Sequence, residues 1–370
     1  MTWSAPRALI DETALRHNLA MARRYAPQSR VWAVIKANAY GHGSAAVARL
    51  LTDADGFAVA RVEEGVHLRE AGISHPILVL EGMVFADELE AAARHALTLT
   101  IHNRAQAELL VSVSRRLIST PSCWLKVDTG MHRLGFPPAK IRTVIDLLGG
   151  AATEARIAGL MTHLANADMP EDPMSARQCS ALQETAKGLD LPLSIGNSAG
   201  LIALPSARSA WVRPGIMLYG ASPFATGLGK DLGLMPAMTL QARLIAVQAL
   251  RRGDAVGYGG AYVCPEAMPV GIIGVGYGDG YPRHAKTGTP VLLNGQRVPL
   301  IGRVSMDMIH VDLRTQPQAA VGDRATLWGR GLPVEEIARC AETIPYELLC
   351  RIAQRVQMRY HARVADELAA

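Results

Sequence analysis

Residues 31–43 read VWAVIKANAYGHG and run on into SAAVARLL. Apolar, strand-favouring residues lead straight to Lys36, and Gly41 and Gly43 then interrupt the chain ahead of a helix-like stretch. That order predicts a buried strand, a lysine at its carboxyl end, a loop and a helix. Seven further apolar runs follow up to residue 222: FAVA, PILVLEG, LTLTIHN, CWLKVDTG, IAGLMTH, LSIGNSAG and WVRPGIMLYG. All but the last are followed by amphipathic helix candidates such as RVEEGVHLREAG and AKIRTVIDLL. Strands separated by helices need crossovers that only parallel pairing permits, so the repeat predicts a (β/α)8 barrel. An opening strand and helix over residues 7–25 precede it.

Beyond residue 240 the strands lose their intervening helices. ARLIAVQAL, DAVGYGGAY, MPVGIIGVGYGDG, TPVLLNG, RVPLIGRVSMDMIHVDL and DRATLWG are punctuated by Gly, Pro and Asn-Gly turns, which predicts a compact mainly-β domain. Short helices at VEEIARCA and PYELLCRI and a last strand at RVQMRYHA complete it. The expected organisation is a barrel over residues 1–235 and a mainly-β domain over 236–370.

A chain of 370 residues that is 49% hydrophobic can bury a large core. The first residues, MTWSAPRALIDE, carry no apolar stretch of signal-peptide length, and no later run reaches membrane-span length. Cys123, Cys179, Cys264, Cys340 and Cys350 are scattered without metal-ligand spacing, as reduced core thiols are. These features predict a cytoplasmic protein without a bound metal. The net charge of +5 is spread along the chain with no basic block interleaved with aromatics, so neither nucleic acid nor membrane is an expected partner.

Burial disfavours an ammonium and lowers its pKa, and a neutral amine in a pocket attacks carbonyls. Lys36 therefore suits Schiff-base formation with an aldehyde, either a substrate or pyridoxal phosphate. A single lysine more often snorkels to solvent, so the reading rests on its companions. In a barrel, chemistry gathers at the carboxyl ends of the strands. The polar residues there are Lys36 and Tyr40 after the first barrel strand, Lys126, Asp128 and Arg133 around the fifth, and His163 at the sixth. Asn197 and Ser198 follow at the seventh, with Arg213 and Gly215 at the eighth. Ser198 offers a hydroxyl, and Gly215 and Ile216 offer amides where glycine lets an anion approach closely.

The segments AVIKANAYGHG, KVDTGMHRLG, MTHLANAD, SIGNSAG, WVRPGIMLYG, VGYGGAY, VGYGDGYPR and GRVSMDM, in this order over nearly the whole chain, resemble bacterial alanine racemase. The resemblance implies a pyridoxal 5'-phosphate enzyme that interconverts L- and D-alanine, for cell-wall supply or for catabolism. It further implies a homodimer in which the β domain of one copy covers the barrel mouth of the other. Racemisation takes a proton from one face of Cα and returns one to the other, so two bases are required. The resemblance assigns Lys36 as the cofactor lysine and base for the D-isomer, and Tyr258 as base for the L-isomer. An ordinary tyrosine pKa near 10 is too high for that work, and the resemblance places His163 and Arg213 in a hydrogen-bonded chain leading to it.

It also implies that Arg213 meets the cofactor's ring nitrogen. A guanidinium keeps its proton there, which leaves the ring a weaker electron sink. Arg133 is implied to contact the cofactor's phenolic oxygen and the substrate carboxylate, beside Lys126, the position at which relatives can carry a carbamylated lysine. With Lys36, the residues implied to bind the cofactor are Tyr40, Arg133, His163, Asn197, Ser198, Arg213, Gly215 and Ile216. Met306, Asp307 and Tyr277 are implied at the substrate entrance, while Met308 reads as one alternation of a strand. One departure concerns AQRVQM, where Gln354 stands in place of a tyrosine at the pocket mouth and Gln357 in place of a proline. A binding protein of the barrel alone, a decarboxylase with an acidic partner for the ring nitrogen and a cofactor-free aldolase would share the lysine. The β domain and Arg213 argue against the first two, and a visible absorption band would exclude the third.

Overall fold

The computed structural model describes residues 5–117, 119–150 and 156–364. Its first strand, β1 (Arg7–Asp11), ends in Asp11, whose carboxylate accepts from the Ala14 amide at 2.9 Å and so caps the helix Glu12–Tyr25. Eight parallel strands then close into a barrel: β2 (Arg30–Val34), β3 (Gly56–Val59), β4 (Ile77–Val79), β5 (Thr98–Ile101), β6 (Cys123–Lys126), β7 (Ile157–Met161), β8 (Leu193–Asn197) and β9 (Trp211–Arg213). The closing register sets Val31 against Val212. The eight segments expected from the apolar runs are these eight strands. Their near-continuous burial, as in GFAV and CWLK, follows from helices on the outside and side chains filling the inside.

Three tryptophans crowd the strand starts. Trp32 stacks on Trp211 with ring centroids 4.4 Å apart, and Trp124 meets Trp211 edge-on. Gly56 and Gly159 leave the room they need, because a Cβ at either would lie within 2.4 Å of a neighbouring indole. Packing thus occupies one end of the barrel, and the carboxyl ends of the strands are left for chemistry.

The second sheet holds eight strands in the order β13, β16, β15, β14, β17, β10, β1, β18. Its members are β10 (Met238–Leu250), β13 (Met268–Ile273), β14 (Pro290–Leu293), β15 (Gln296–Ile301), β16 (Ile309–Asp312), β17 (Arg324–Trp328) and β18 (Gln357–His361), together with β1. A two-stranded hairpin, β11 (Ala255–Val256) and β12 (Tyr262–Val263), stands apart. Two expectations change here. The opening strand was grouped with the barrel, yet β1 pairs antiparallel with β10 and parallel with β18, placing Arg7 opposite Gln241 and Gln357. The run RVPLIGRVSMDMIHVDL is two strands, since residues 302–308 leave the ladder between β15 and β16. Met308 is therefore an exposed loop residue, not one alternation of a strand.

Barrel and sheet share one continuous apolar core reaching from Val31 and Leu78 to Leu327 and Leu349. No helix among the described residues is long and apolar enough to cross a membrane.

Candidate active site

Lys36 follows β2 with its side chain in a cavity of about 1020 Å³ at the carboxyl end of the barrel. Tyr40, Lys126, Arg133, His163, Asn197, Ser198, Arg213, Gly215 and Ile216 line the same cavity. The strand-end residues named from the sequence are thus brought to one place from five strand ends and the turns after them, except Asp128, whose carboxylate turns to the Gly130 and His132 amides and the His132 ring.

The turn after Lys36 departs from the expected loop. Ala37, Asn38, Ala39 and Tyr40 all have φ between 51° and 54° with ψ between 43° and 51°, a full left-handed helical turn of non-glycine residues. Left-handed helix costs roughly 1–2 kcal/mol per residue, so four of them store on the order of 4–8 kcal/mol. The turn is helical in spacing if not in hand. Ala39 donates to the Ile35 carbonyl four residues back at 2.8 Å, and the lysine and tyrosine four apart share one face. Gly41, at φ +79°, closes the turn where a Cβ would lie 2.0 Å from the Leu349 carbonyl oxygen. The helix Pro345–Cys350 is therefore packed hard against the lysine turn.

The same cavity holds a cradle of hydroxyls. Ser198 begins the helix Ser198–Ala203, capped by the Asn197 carboxamide, which accepts from Gly200 N at 2.9 Å. The Ser198 hydroxyl accepts from the Gly215 amide at 2.8 Å, leaving its own hydrogen free to donate. Gly215 meets the Tyr40 hydroxyl so closely that a Cβ there would lie 2.5 Å from the oxygen. Tyr40 stacks on Tyr219 at 4.7 Å, and Tyr346 tilts against it at 6.1 Å.

The charges around the amine decide its state. Burial, then the Arg133 cation, lowers the pKa of Lys36, while Glu81 and Glu64 oppose them. Burial, followed by Arg213, Arg133 and Lys36, pushes Lys126 down to about 7. Arg213 is brought down to about 10 by burial, which still leaves it charged at neutral pH. It donates to the Ser194 hydroxyl and to the Thr162 and Ile195 carbonyls. His163 is held well below the ordinary histidine value by burial and then by Arg213. Of the two residues that the resemblance places in the hydrogen-bonded chain, Arg213 carries the charge and His163 is neutral.

Tyr258, Tyr277, Met306 and Asp307 lie elsewhere. Tyr258 sits in a glycine turn between β11 and β12 and is 67% exposed. Tyr277 and Met306 are 41% and 53% exposed. The Ser305 and Met306 carbonyls accept from Tyr277 N and Gly278 N, and Arg355 bridges Asp279 and Asp307 at 2.8 and 2.7 Å. Tyr277, Met306 and Asp307 come together on the β domain, Tyr258 stands in its own turn there, and none of the four lines the lysine cavity. Gln354, expected at the pocket mouth, is exposed and does not line the cavity, whereas Tyr346 and Cys350 do. Sequence reading missed these two because PYELLCRI reads only as a short amphipathic helix. Glu64 and His42 were missed for a similar reason, since RVEEGVHLREAG reads as a helix and the second half of AYGHG as a turn.

An amine at a strand end facing an anion cradle, in a (β/α)8 barrel backed by a β sheet, defines a barrel enzyme built on a lysine nucleophile. The alanine racemase N-terminal domain family matches residues 10–223, and the alanine racemase C-terminal domain family matches residues 237–360. The alanine racemase of Nitrosococcus oceani is 54% identical over 354 residues, 95% of this chain and 98% of that one. That of Coxiella burnetii is 50% identical over 95% of this chain and 97% of its own. Among solved structures, the biosynthetic alanine racemase from Pseudomonas aeruginosa superposes with a TM-score of 0.93 at 43% identity, covering 97% of this chain and all of that one. The chain belongs to the alanine racemase family and is an enzyme of the racemase class.

Proposed function

We propose that the protein interconverts L- and D-alanine with pyridoxal 5'-phosphate held on Lys36, in a homodimer whose β domains complete each other's sites. The observation that carries this reading is the lowered strand-end amine sharing one cavity with the Ser198–Gly215–Tyr40 cradle. The cradle suits a phosphate, because the missing Cβ of Gly215 lets the Tyr40 hydroxyl and the Ser198 hydroxyl approach one spot. Asn197 and Ile216 would complete that grip, and Arg213 would serve the ring nitrogen. When bound, the cofactor supplies an aldehyde for the lysine and an electron-withdrawing ring for the substrate.

The remaining work belongs to the chain. Lys36 moves a proton at one face of the substrate Cα, and Tyr258 of a second copy moves one at the other. Arg133 holds the substrate carboxylate, and Met306, Asp307 and Tyr277 narrow the entrance. Arg213 keeps its own proton because its guanidinium is tied to Ser194 and two carbonyls. Lys126, pushed down to about 7, is in large part a neutral amine at neutral pH, the form that adds carbon dioxide and releases a proton to become a carbamate anion beside Arg133. Below that pH the amine is protonated and the carbamate is lost. Carbon-13 bicarbonate should give a carbamate resonance that vanishes in Lys126→Met, and its absence from the native enzyme would remove this part of the reading. The product serves cell-wall supply or catabolism.

Borohydride reduction of the yellow holoenzyme followed by peptide mapping tests the centre of the proposal. The label is expected on Lys36, and a label on Lys126 or on no lysine would sink it.

A further inference from the structure

The left-handed turn that carries Lys36 and Tyr40 is held from both ends by side chains to which none of the binding or proton-moving roles above was given. At its start, the Glu64 carboxylate accepts from the Ala37 amide, the one directly after Lys36, at 2.7 Å. The other oxygen of the same carboxylate accepts from the Ala60 amide at 2.6 Å and from the Arg61 amide at 3.2 Å. One glutamate therefore ties the lysine turn to the chain leaving the next barrel strand.

At the far end, His42 is fully buried. Its Nδ1 faces two carbonyl oxygens, of Ala39 at 3.1 Å and Tyr40 at 2.9 Å. Two acceptors require a donor, which fixes the tautomer with hydrogen on Nδ1. Nε2 has no partner. Burial lowers the imidazole to about 4, so the ring is neutral. It lies against Tyr219, ring centroids 4.6 Å apart, in the same aromatic stack that seats Tyr40. The Tyr360 hydroxyl donates to the His42 carbonyl at 2.9 Å.

We propose that Glu64 and His42 are positioning residues for Lys36, holding the left-handed turn so that the amine and the Tyr40 hydroxyl keep their separation across the cavity. The proposal rests on the reading of Lys36 as the cofactor lysine. Each residue supplies what the turn cannot supply for itself. An L-residue chain relaxes out of the left-handed region unless surrounding bonds over-determine it. The anchored groups are the amide that follows Lys36 and the carbonyl of Tyr40 itself.

Glu64→Gln is nearly isosteric, yet its amide nitrogen must face either the Ala37 amide or the Ala60 and Arg61 amides that the carboxylate now serves, so at least one tie is lost. His42→Phe keeps the aromatic stack without the donor. His42→Asn returns a donor close to the Nδ1 position and is the rescue. Glu63→Gln, on the exposed neighbour, is the control. Lys36 also faces Arg133, Lys126, His163, Glu81 and Cys350, and all of these stay unchanged in every variant.

The measurements use the full-length holoenzyme. They are the pH midpoint of the visible band of the lysine-bound cofactor, the retention of pyridoxal phosphate on dialysis, kcat and KM for alanine, and thermal unfolding. For Glu64→Gln the midpoint is expected to move to lower pH, because a negative charge that favours the protonated nitrogen has gone. Cofactor retention should fall, and kcat should drop about 10- to 100-fold with KM little altered, as for a misplaced reacting group. His42→Phe should lower kcat and retention without moving the midpoint, and His42→Asn should recover most of the loss. If Glu64→Gln does not fold, Glu64→Asp, one methylene too short to span both strands, carries the same expectations for retention and kcat. Variants that fold and keep the wild-type midpoint, retention and kcat would overturn the positioning role. A wild-type enzyme whose borohydride label is not on Lys36 would overturn the underlying reading instead, so the two failures are distinguishable.

Discussion

Replacing Lys36 with alanine is expected to lower alanine racemisation by roughly 10³-fold or more, about 4 kcal/mol of barrier, and to abolish the yellow colour. The side chain is the amine that shares its cavity with the anion cradle, and Lys126, the other lysine lining that cavity among the described residues, is crowded by Arg213 and Arg133. Chiral chromatography of product formed from L-alanine reads the loss, and absorbance reads the cofactor. A Lys36→Ala enzyme that keeps a tenth of its activity would show that the lysine neither carries the cofactor nor moves the proton.

The second large effect concerns two chains at once. Tyr258 is exposed in a glycine turn and does not line the cavity that holds Lys36. Tyr258→Phe removes only a hydroxyl, yet should abolish nearly all activity if that hydroxyl moves the second proton. Lys36→Ala and Tyr258→Phe subunits, each nearly inactive, are then mixed and allowed to exchange. In a mixed dimer with shared sites, one site carries both lesions and the other pairs an intact Lys36 with an intact Tyr258 from its partner. With half the dimers mixed, activity should return to about a quarter of wild type. Mixtures proven to contain heterodimers that regain nothing would place both groups within one chain.

These expectations show what the sequence made legible. The eight barrel strands could be read because strands buried on both faces leave uninterrupted apolar runs, and their carboxyl ends point to one mouth whatever the details of the loops. That Lys36 and Tyr40 meet in one cavity followed from the strand end and the resemblance. The helical turn between them did not, and neither did its hand, because the segment reads as a loop ahead of Gly41. Asn38 tolerates left-handed backbone, but one asparagine signals no full turn and Ala37 and Ala39 carry no mark of it, and the restraints come from Glu64, His42 and Leu349, distant in sequence or read as part of other elements. The place of β1 was hidden for a related reason. Strand propensity is local, but its pairing with β10 and β18 is a long-range choice. The loop of Met306 and Asp307 looked like strand because hydrophobic alternation continues through it, while its backbone bonds go to Tyr277 and Gly278 instead of a ladder.

The same pairing governs the order in which a nascent chain can finish itself. The first strand made is flanked by partners made much later, since Ala8 lies between Leu240 and Met358. On a ribosome the barrel strands emerge in sequence and can close on one another, but residues 7–11 have no sheet to join until β10 appears. They are covered on the other side only when β18 has left the exit tunnel. Loop closure over such separations is slow. A hydrophobic strand thus remains an open edge through most of synthesis, and its exposure ends when Asp11, already capping the first helix, accepts the amide of Val364 at 3.0 Å.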